Sequence, residues 1–189
     1  MADGELDIAA NRSARKYDVG DLVRRVLWGV GAVLFRWTPR LLYGARNALL
    51  RLFGAEVGRN VRIHPSATIY FPWNLSIGDW SSVGEEALIY NLGPIEIGEQ
   101  VTISQRAHLC AGTHDANDPA MPLQKPPITV GDQAWVCADA FVGPGVTVGA
   151  GAVVGARAVA VTDVEPWMSV GGNPARPLKE RNLDPDASP

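Results

Sequence analysis

Fourteen hexads that each open on Val, Ile or Leu run from Val57 to Val159, and a period of six leaves a chain few ways to fold. They read VGRNVR, IHPSAT, IYFPWN; IGDWSS, VGEEAL, IYNLGP; IGEQVT, ISQRAH, LCAGTH; and, past a loop, VGDQAW, VCADAF, VGPGVT, VGAGAV, VGARAV. The second position is Gly in eight of the fourteen, and the fifth is usually Ala or Val. Six residues make one short strand and a corner. The branched first residue fills an interior, the small fifth fits beside it, and Gly eases backbone crowding near the bend. Three hexads close a triangular coil, and coils stack about 4.8 Å apart through backbone hydrogen bonds. The pattern predicts an all-β chain, a parallel β-solenoid of about five coils over residues 55–166. Two-residue slips at Leu75-Ser76 and Ile95-Glu96 read as corner insertions, and a larger loop spans 115–129.

The flanks follow other rules. Residues 1–20 are polar and predict a flexible start. Within 21–54, "DLVRRVLWGVGAVLFRW" reads as a helix stopped near Pro39, and "RLLYGARNALLRLFGA" as a second ended by Gly54. Residues 167–189 read as a turn at Gly171-Gly172 and Asn173-Pro174, then basic residues, then a disordered tail.

Charge narrows the function classes. The net charge is −3, yet Leu22–Ala55 holds six arginines and no acid, so the remainder carries −9. That local patch is not the general basic character of a nucleic-acid binder, and no nucleic-acid partner is expected. The start has no basic n-region leading into an apolar core, and the ten-residue apolar run Val26–Phe35 falls short of a span of about 20 residues. Cys110 and Cys137 show no metal spacing and are expected on different faces, unbridged. Together these features predict a reduced, cytoplasmic protein.

The hexads, the "GTHD" break, the "AWV" reopening and the "GGNPAR" ending resemble the hexapeptide-repeat O-acetyltransferases. Through "LFGAEVGRNVRIHPSA", "IYNLGPIEIGEQVTIS" and "LCAGTHDANDP" the chain is most similar to their colanic-acid-biosynthesis subgroup, over about Arg51–Arg181. The resemblance implies a left-handed β-helix, a homotrimer and acetyl-CoA as donor. Handedness could not come from the repeat, because ordinary crossovers are right-handed.

Acetyl transfer to a sugar hydroxyl needs a base, a donor for the developing oxyanion and a slot that holds the thioester within reach. His114, where the repeat breaks into the loop, is the candidate base, because an imidazole titrates near neutrality. The plain alternative is a histidine that caps a corner. Asp115 or Asp118 could orient it or simply be solvated, and adjacent side chains in extended chain point apart. His64 and His108 are expected to be solvated.

The resemblance further implies that Asn91 stabilises the transition state; an Asn in a left-handed turn is the alternative. It places Trp135, Ala138, Ala156, Val161 and Thr162 along the pantetheine arm, and Arg176 and Lys179 at the nucleotide phosphates. Trp135 could equally be a structural corner aromatic. Val161-Thr162 stand where the family often has Thr-Lys, so one cation is absent. "GPGVTVGAGAVVG" is not a dinucleotide loop, because it continues the hexads and lacks a strand–loop–helix setting.

The favoured function is an acetyl-CoA-dependent O-acetyltransferase acting on a surface-polysaccharide sugar or a glycolipid. The alternative is a scaffold or carbonic-anhydrase-like solenoid, which needs several histidines spread over adjacent coils. Residues 22–53 could meet a membrane interface, with Trp28 and Trp37 at the headgroups, or only cap the open end of the solenoid.

Overall fold

The computed structural model describes residues 5–184. Its coils present three parallel sheets as the faces of a prism. The first face holds Glu56–Val57, Leu75–Ile77, Ile95–Ile97, Ile128–Val130 and Thr147–Val148. The second holds Arg62–Ile63, Ser82–Val83, Thr102–Ile103, Trp135–Val136, Val153–Val154 and Met168–Gly171. The third holds Thr68–Ile69, Leu88–Tyr90, His108–Cys110, Phe141–Val142 and Val159–Ala160. The first hexad positions stay in register up the prism, Val57 opposite Ile77, Ile77 opposite Ile97, and Ile97 opposite Val130.

Five coils close fully. A bridge from Val148 to Val164 and the strand Met168–Gly171 begin a sixth, so the solenoid runs past residue 166. The basic segment expected as an open turn instead folds back as Arg176–Glu180, antiparallel to Met168–Gly171. The last part of the expected disordered tail, 185–189, lies outside the described residues, as do residues 1–4 of the expected flexible start.

The interior is what the hexads require. Ile63, Ile89, Ile103, Leu109, Val130 and Val142 at first positions are buried, with Val61, Ala87, Ala107, Ala140 and Ala158 at fifth positions beside them. Each large aliphatic side chain removed from water contributes about 1.5–3 kcal/mol. Ser81 is a polar exception, and its hydroxyl donates to Gly98 O at 2.7 Å and accepts the Val101 N–H at 2.8 Å. The second-position glycines allow coil to meet coil: a Cβ on Gly78 would lie 2.6 Å from the Gly98 carbonyl carbon. The left-handed corner itself falls at the fourth position, with Trp80, Gln100, Asp139 and Arg157 at φ of 62°, 56°, 58° and 59°. Glycine takes this corner only at Gly145 and Gly151, at φ of 78° and 67°, so it does not mark the corner along the repeat.

The two phase slips sit elsewhere than expected. Leu75-Ser76 and Ile95-Glu96 are strand residues paired with each other, and the extra length is taken up just before them, by the 3-10 turn Pro72–Asn74 and by 92–94. Two added residues preserve alternation, so Leu75 points inward like Ile77 and the slip can be read at either end.

Three helices precede the coils: α1 (Ile8–Ser13), α2 (Val19–Trp37) and α3 (Tyr43–Leu52). Asp18 caps α2 by accepting the Asp21 N–H at 2.7 Å, and Gly54 at φ 91° closes α3. The helices cap the solenoid chemically as well as sterically. Carbonyls on the open side of the first coil accept from their side chains: Val57 O from Arg51, Val61 O from Asn47 Nδ2, Ile63 O from Arg46 Nε, and Ile69 O from Trp28 Nε1, all within 2.6–2.9 Å. Arg46 is fully buried and also donates to the carbonyls of Thr38, Pro39 and Arg40. Burial lowers its pKa from the ordinary arginine value.

The expected flexible start is held as well. Asp7 caps α1 with its side chain, and its N–H donates to Pro119 O at 2.8 Å. These contacts join polar groups to backbone, so no apolar pattern announced them. Among the described residues no helix is long and apolar enough to cross a membrane.

Candidate active site

His114 stands on a hairpin that leaves the third coil at its third-to-first corner. The expected loop is ordered around Thr113–His114 paired antiparallel with Leu123–Gln124, and it ends before Ile128, which already belongs to the first face. The imidazole is exposed, and its Nδ1 lies 2.6 Å from Met121 O. A carbonyl can only accept, so Nδ1 carries the hydrogen and the neutral ring presents a free lone pair at Nε2.

Met121, not Asp115, therefore orients the histidine. The Asp115 carboxylate accepts the Asn117 N–H at 3.0 Å and stands 3.5 Å from Gln124 Nε2, bracing the loop. Asp118 accepts the Ala120 N–H at 2.8 Å. A main-chain carbonyl carries no residue-type signal, which is why sequence reasoning missed it.

Asn91 is not an oxyanion donor in this arrangement. It is fully buried, its Oδ1 accepts the N–H groups of Tyr70 and Phe71 at 3.1 and 3.0 Å, and its Nδ2 donates to Phe71 O. These bonds staple the lengthened corner of the coil below. The other histidines do not join His114. His64 Nδ1 lies 2.7 Å from Ser66 Oγ at a second-face corner. His108 was expected in solvent but is half-buried edge-on between Tyr90 and Phe141, with Nε2 lacking a partner. Burial lowers its pKa. Among the described residues no group of three His, Cys, Asp or Glu side chains could hold a metal ion. Cys110 and Cys137 are free thiols on different faces, both raised in pKa by burial.

The residues assigned to the donor divide between two edges. Ala138 and Ala156 stack at the second-to-third corner, where the Arg157 N–H reaches Ala138 O at 2.9 Å. Trp135 lies nearby on the second face, partly exposed, its Nε1 donating to Ser104 Oγ at 2.8 Å. Val161 and Thr162 lie exposed at the third-to-first corner, on the edge from which the His114 hairpin also grows. Arg176 and Lys179 are exposed on the final antiparallel strand, with Lys179 opposite Ser169. A hexad side spans at most about 20 Å of extended chain, so the third face separates the two sets. A groove of about 630 Å³ on the second face, lined by Arg62, His64, Ser104 and Arg106, holds none of the assigned residues.

No family model matches the chain. The colanic acid biosynthesis acetyltransferase WcaF of Escherichia coli K12 is 44% identical over 154 residues, which cover 82% of this chain and 85% of that protein. The chain belongs to the hexapeptide-repeat acetyltransferases. The galactoside O-acetyltransferase of the same organism is 26% identical over 140 residues, 72% of this chain and 69% of that one. A hexapeptide-repeat acetyltransferase of Vibrio cholerae, solved with acetyl coenzyme A, superposes with a TM-score of 0.81 at 25% identity, over 89% of this chain and 93% of its own. The solenoid of this acetyltransferase is thus the left-handed parallel β-helix of its relatives.

The burial of Asn91 generates a prediction. Asn91→Ala leaves the Phe71 N–H unpaired inside the acetyltransferase, while the Tyr70 N–H keeps Ile89 O and Phe71 O keeps the Asn74 N–H, and it should lower unfolding stability by about 1–3 kcal/mol. Its activity per folded molecule should stay near wild type, as measured by denaturant titration alongside turnover.

Proposed function

We propose that the chain transfers an acetyl group from acetyl-CoA to a hydroxyl of a sugar unit in surface-polysaccharide or glycolipid biosynthesis. The observation that carries this reading is the His114 imidazole, tied through Nδ1 to Met121 O and open at Nε2. In the reaction, His114 Nε2 accepts the proton of the acceptor hydroxyl as that oxygen attacks the thioester carbonyl. It then returns the proton to the departing thiolate sulfur, so the imidazole ends neutral. Ala138 and Ala156 suit a pantetheine arm because small side chains let it lie along the stacked corner, and Trp135 offers an apolar wall. The exposed cations Arg176 and Lys179 meet the phosphate charge of the donor in this reading. The relatives named above, one named for colanic acid biosynthesis and one solved with acetyl coenzyme A, support both substrates.

The working unit in this reading is a homotrimer. The two donor sets on opposite edges of one chain meet in a single slot when the second-to-third corner of one subunit faces the third-to-first corner of the next. The face between them has the character of an interface. Tyr70, Tyr90, His108 and Phe141 form a ladder of edge-on rings along it, with centroids 4.6, 6.4 and 5.1 Å apart.

The same reading puts the enzyme at the cytoplasmic face of a membrane, bound peripherally through 22–53. Val19, Leu22, Val23, Val26, Leu27, Val30, Val33, Leu34 and Trp37 are all exposed on the side of α2 that faces away from the solenoid. Trp28, expected at the headgroups, is instead buried in the cap. Arg46 and Arg51 serve carbonyls, Arg25 lies 4.4 Å from the Tyr17 ring centroid, and Arg24 shares the helix face of the buried Trp28 and lines a groove with Phe71 and Asn74, which leaves Arg36 and Arg40 for anionic lipid.

Three outcomes follow. His114→Ala should lower turnover roughly 10²–10⁴-fold in an acetyl-CoA consumption assay over sugar and lipid-linked acceptors, with acetyl-CoA affinity unchanged. Wild-type turnover in that variant would remove the base assignment. Light scattering at micromolar concentration should report three chains, and a monomer would leave the donor slot divided. Val26→Glu with Val30→Glu, which places two charges in the exposed stripe, should abolish co-sedimentation with anionic vesicles while wild type binds. Equal binding by both would confine α2 to capping.

A further inference from the structure

We propose that Asn11, far from His114 in sequence, is a positioning residue for it, acting through the Met121 carbonyl; the proposal rests on the acetyl-transfer reading above. Asn11 Nδ2 lies 2.6 Å from Met121 O and 2.7 Å from Ala120 O. The amide orientation is set by its other end, where Lys16 Nζ lies 2.8 Å from Asn11 Oδ1. An ammonium only donates, so the oxygen faces Lys16 and the NH₂ group faces the two carbonyls. Met121 O then accepts from both Asn11 and His114 Nδ1, which uses both of its lone pairs.

The N-terminal strap grips three successive carbonyls of the hairpin: Pro119 O through the Asp7 N–H, and Ala120 O and Met121 O through Asn11. Lys125, on the outgoing side of the hairpin, closes the contact by reaching Lys16 O at 3.3 Å and the Tyr17 ring at 4.3 Å. The hairpin needs such a hold. Met121 sits at φ 45°, a left-handed conformation that is unfavourable for a residue with a Cβ. Released from Asn11, this residue is free to relax, and its carbonyl leaves the plane of the His114 ring. The imidazole then populates the tautomer with its hydrogen on Nε2, which cannot take a proton there.

Asn11→Asp separates this role from simple tethering. It keeps the size of the side chain and its bond to Lys16, but replaces the donor with an oxygen that repels both carbonyls. Steady-state kinetics on the full chain should show kcat falling about tenfold or more, with the KM for acetyl-CoA within about twofold of wild type. Asn11→Ala should show a smaller loss. In a His114→Ala background Asn11→Asp should cost nothing further, because its effect runs through the imidazole. Nitrogen-15 spectra of histidine-labelled protein should show His114 in the Nδ1–H tautomer in wild type and a mixture in Asn11→Asp. The signals of His64 and His108 should be unchanged and so report that the solenoid is intact. Wild-type kcat in Asn11→Asp, an equal loss in the His114→Ala background, or an Nε2–H tautomer in wild type would each overturn the proposal. If no acceptor is turned over even by wild type, the acetyl-transfer reading falls and the tautomer comparison alone decides. A tautomer unmoved by Asn11→Asp then refutes the positioning, and a moved one sustains it.

Discussion

Backbone hydrogen bonds between successive coils hold this molecule together, and much of the rest follows from where they run out. Each strand is served by the coil before and the coil after, but the first coil has nothing before it. An unpaired carbonyl shut away from water costs about as much as a typical stabilising contact contributes. Trp28, Arg46, Asn47 and Arg51 answer that deficit at the carbonyls of Ile69, Ile63, Val61 and Val57. The helical lead is therefore the missing coil in another form, and its position fixes α2 along the end of the prism. At the other end Arg176–Glu180 covers the last second-face strand by turning antiparallel, so both ends are finished by chain that departs from the repeat.

The site depends on the same regularity and on its interruption. A solenoid corner is short and its side chains fall in stacks, which is why the proposed reading lays a long, thin donor along Ala138 and Ala156. In the proposed reading His114 is a base that must move a proton, which needs a fixed ring orientation that a two-residue strand cannot supply. The hairpin at Thr113–Gln124 solves this with main-chain geometry, letting Met121 O hold one nitrogen while the other stays free.

Features that repeat or break a repeat were legible in the sequence. The hexads alone carry the solenoid and the interior positions of residues such as Ile63 and Ala107, and the break at "GTHD" marks His114. What stayed hidden has no residue-type signature. The fourth-position corners at Trp80 and Gln100 adopt left-handed φ without glycine. The Met121 carbonyl is main chain. Asn91 carries the right chemical group for an oxyanion donor, and only its burial shows that the amide is already used up. Trp28 and Arg46 read as part of a cationic, aromatic helix, yet long-range bonds to the first coil turn them inward.

The direction of the cap also has a temporal side. Every side chain that serves the open carbonyls of the first coil lies upstream of that coil in the chain. A ribosome releases α2 and α3 before Val57, so the donors are available when their acceptors emerge. The opposite edge of the first coil waits for Ile77 and the residues after it, and each later coil in turn becomes the template for the next. The chain thus has a built-in starting end, and assembly in the order of synthesis never requires a coil to form without a partner already in place.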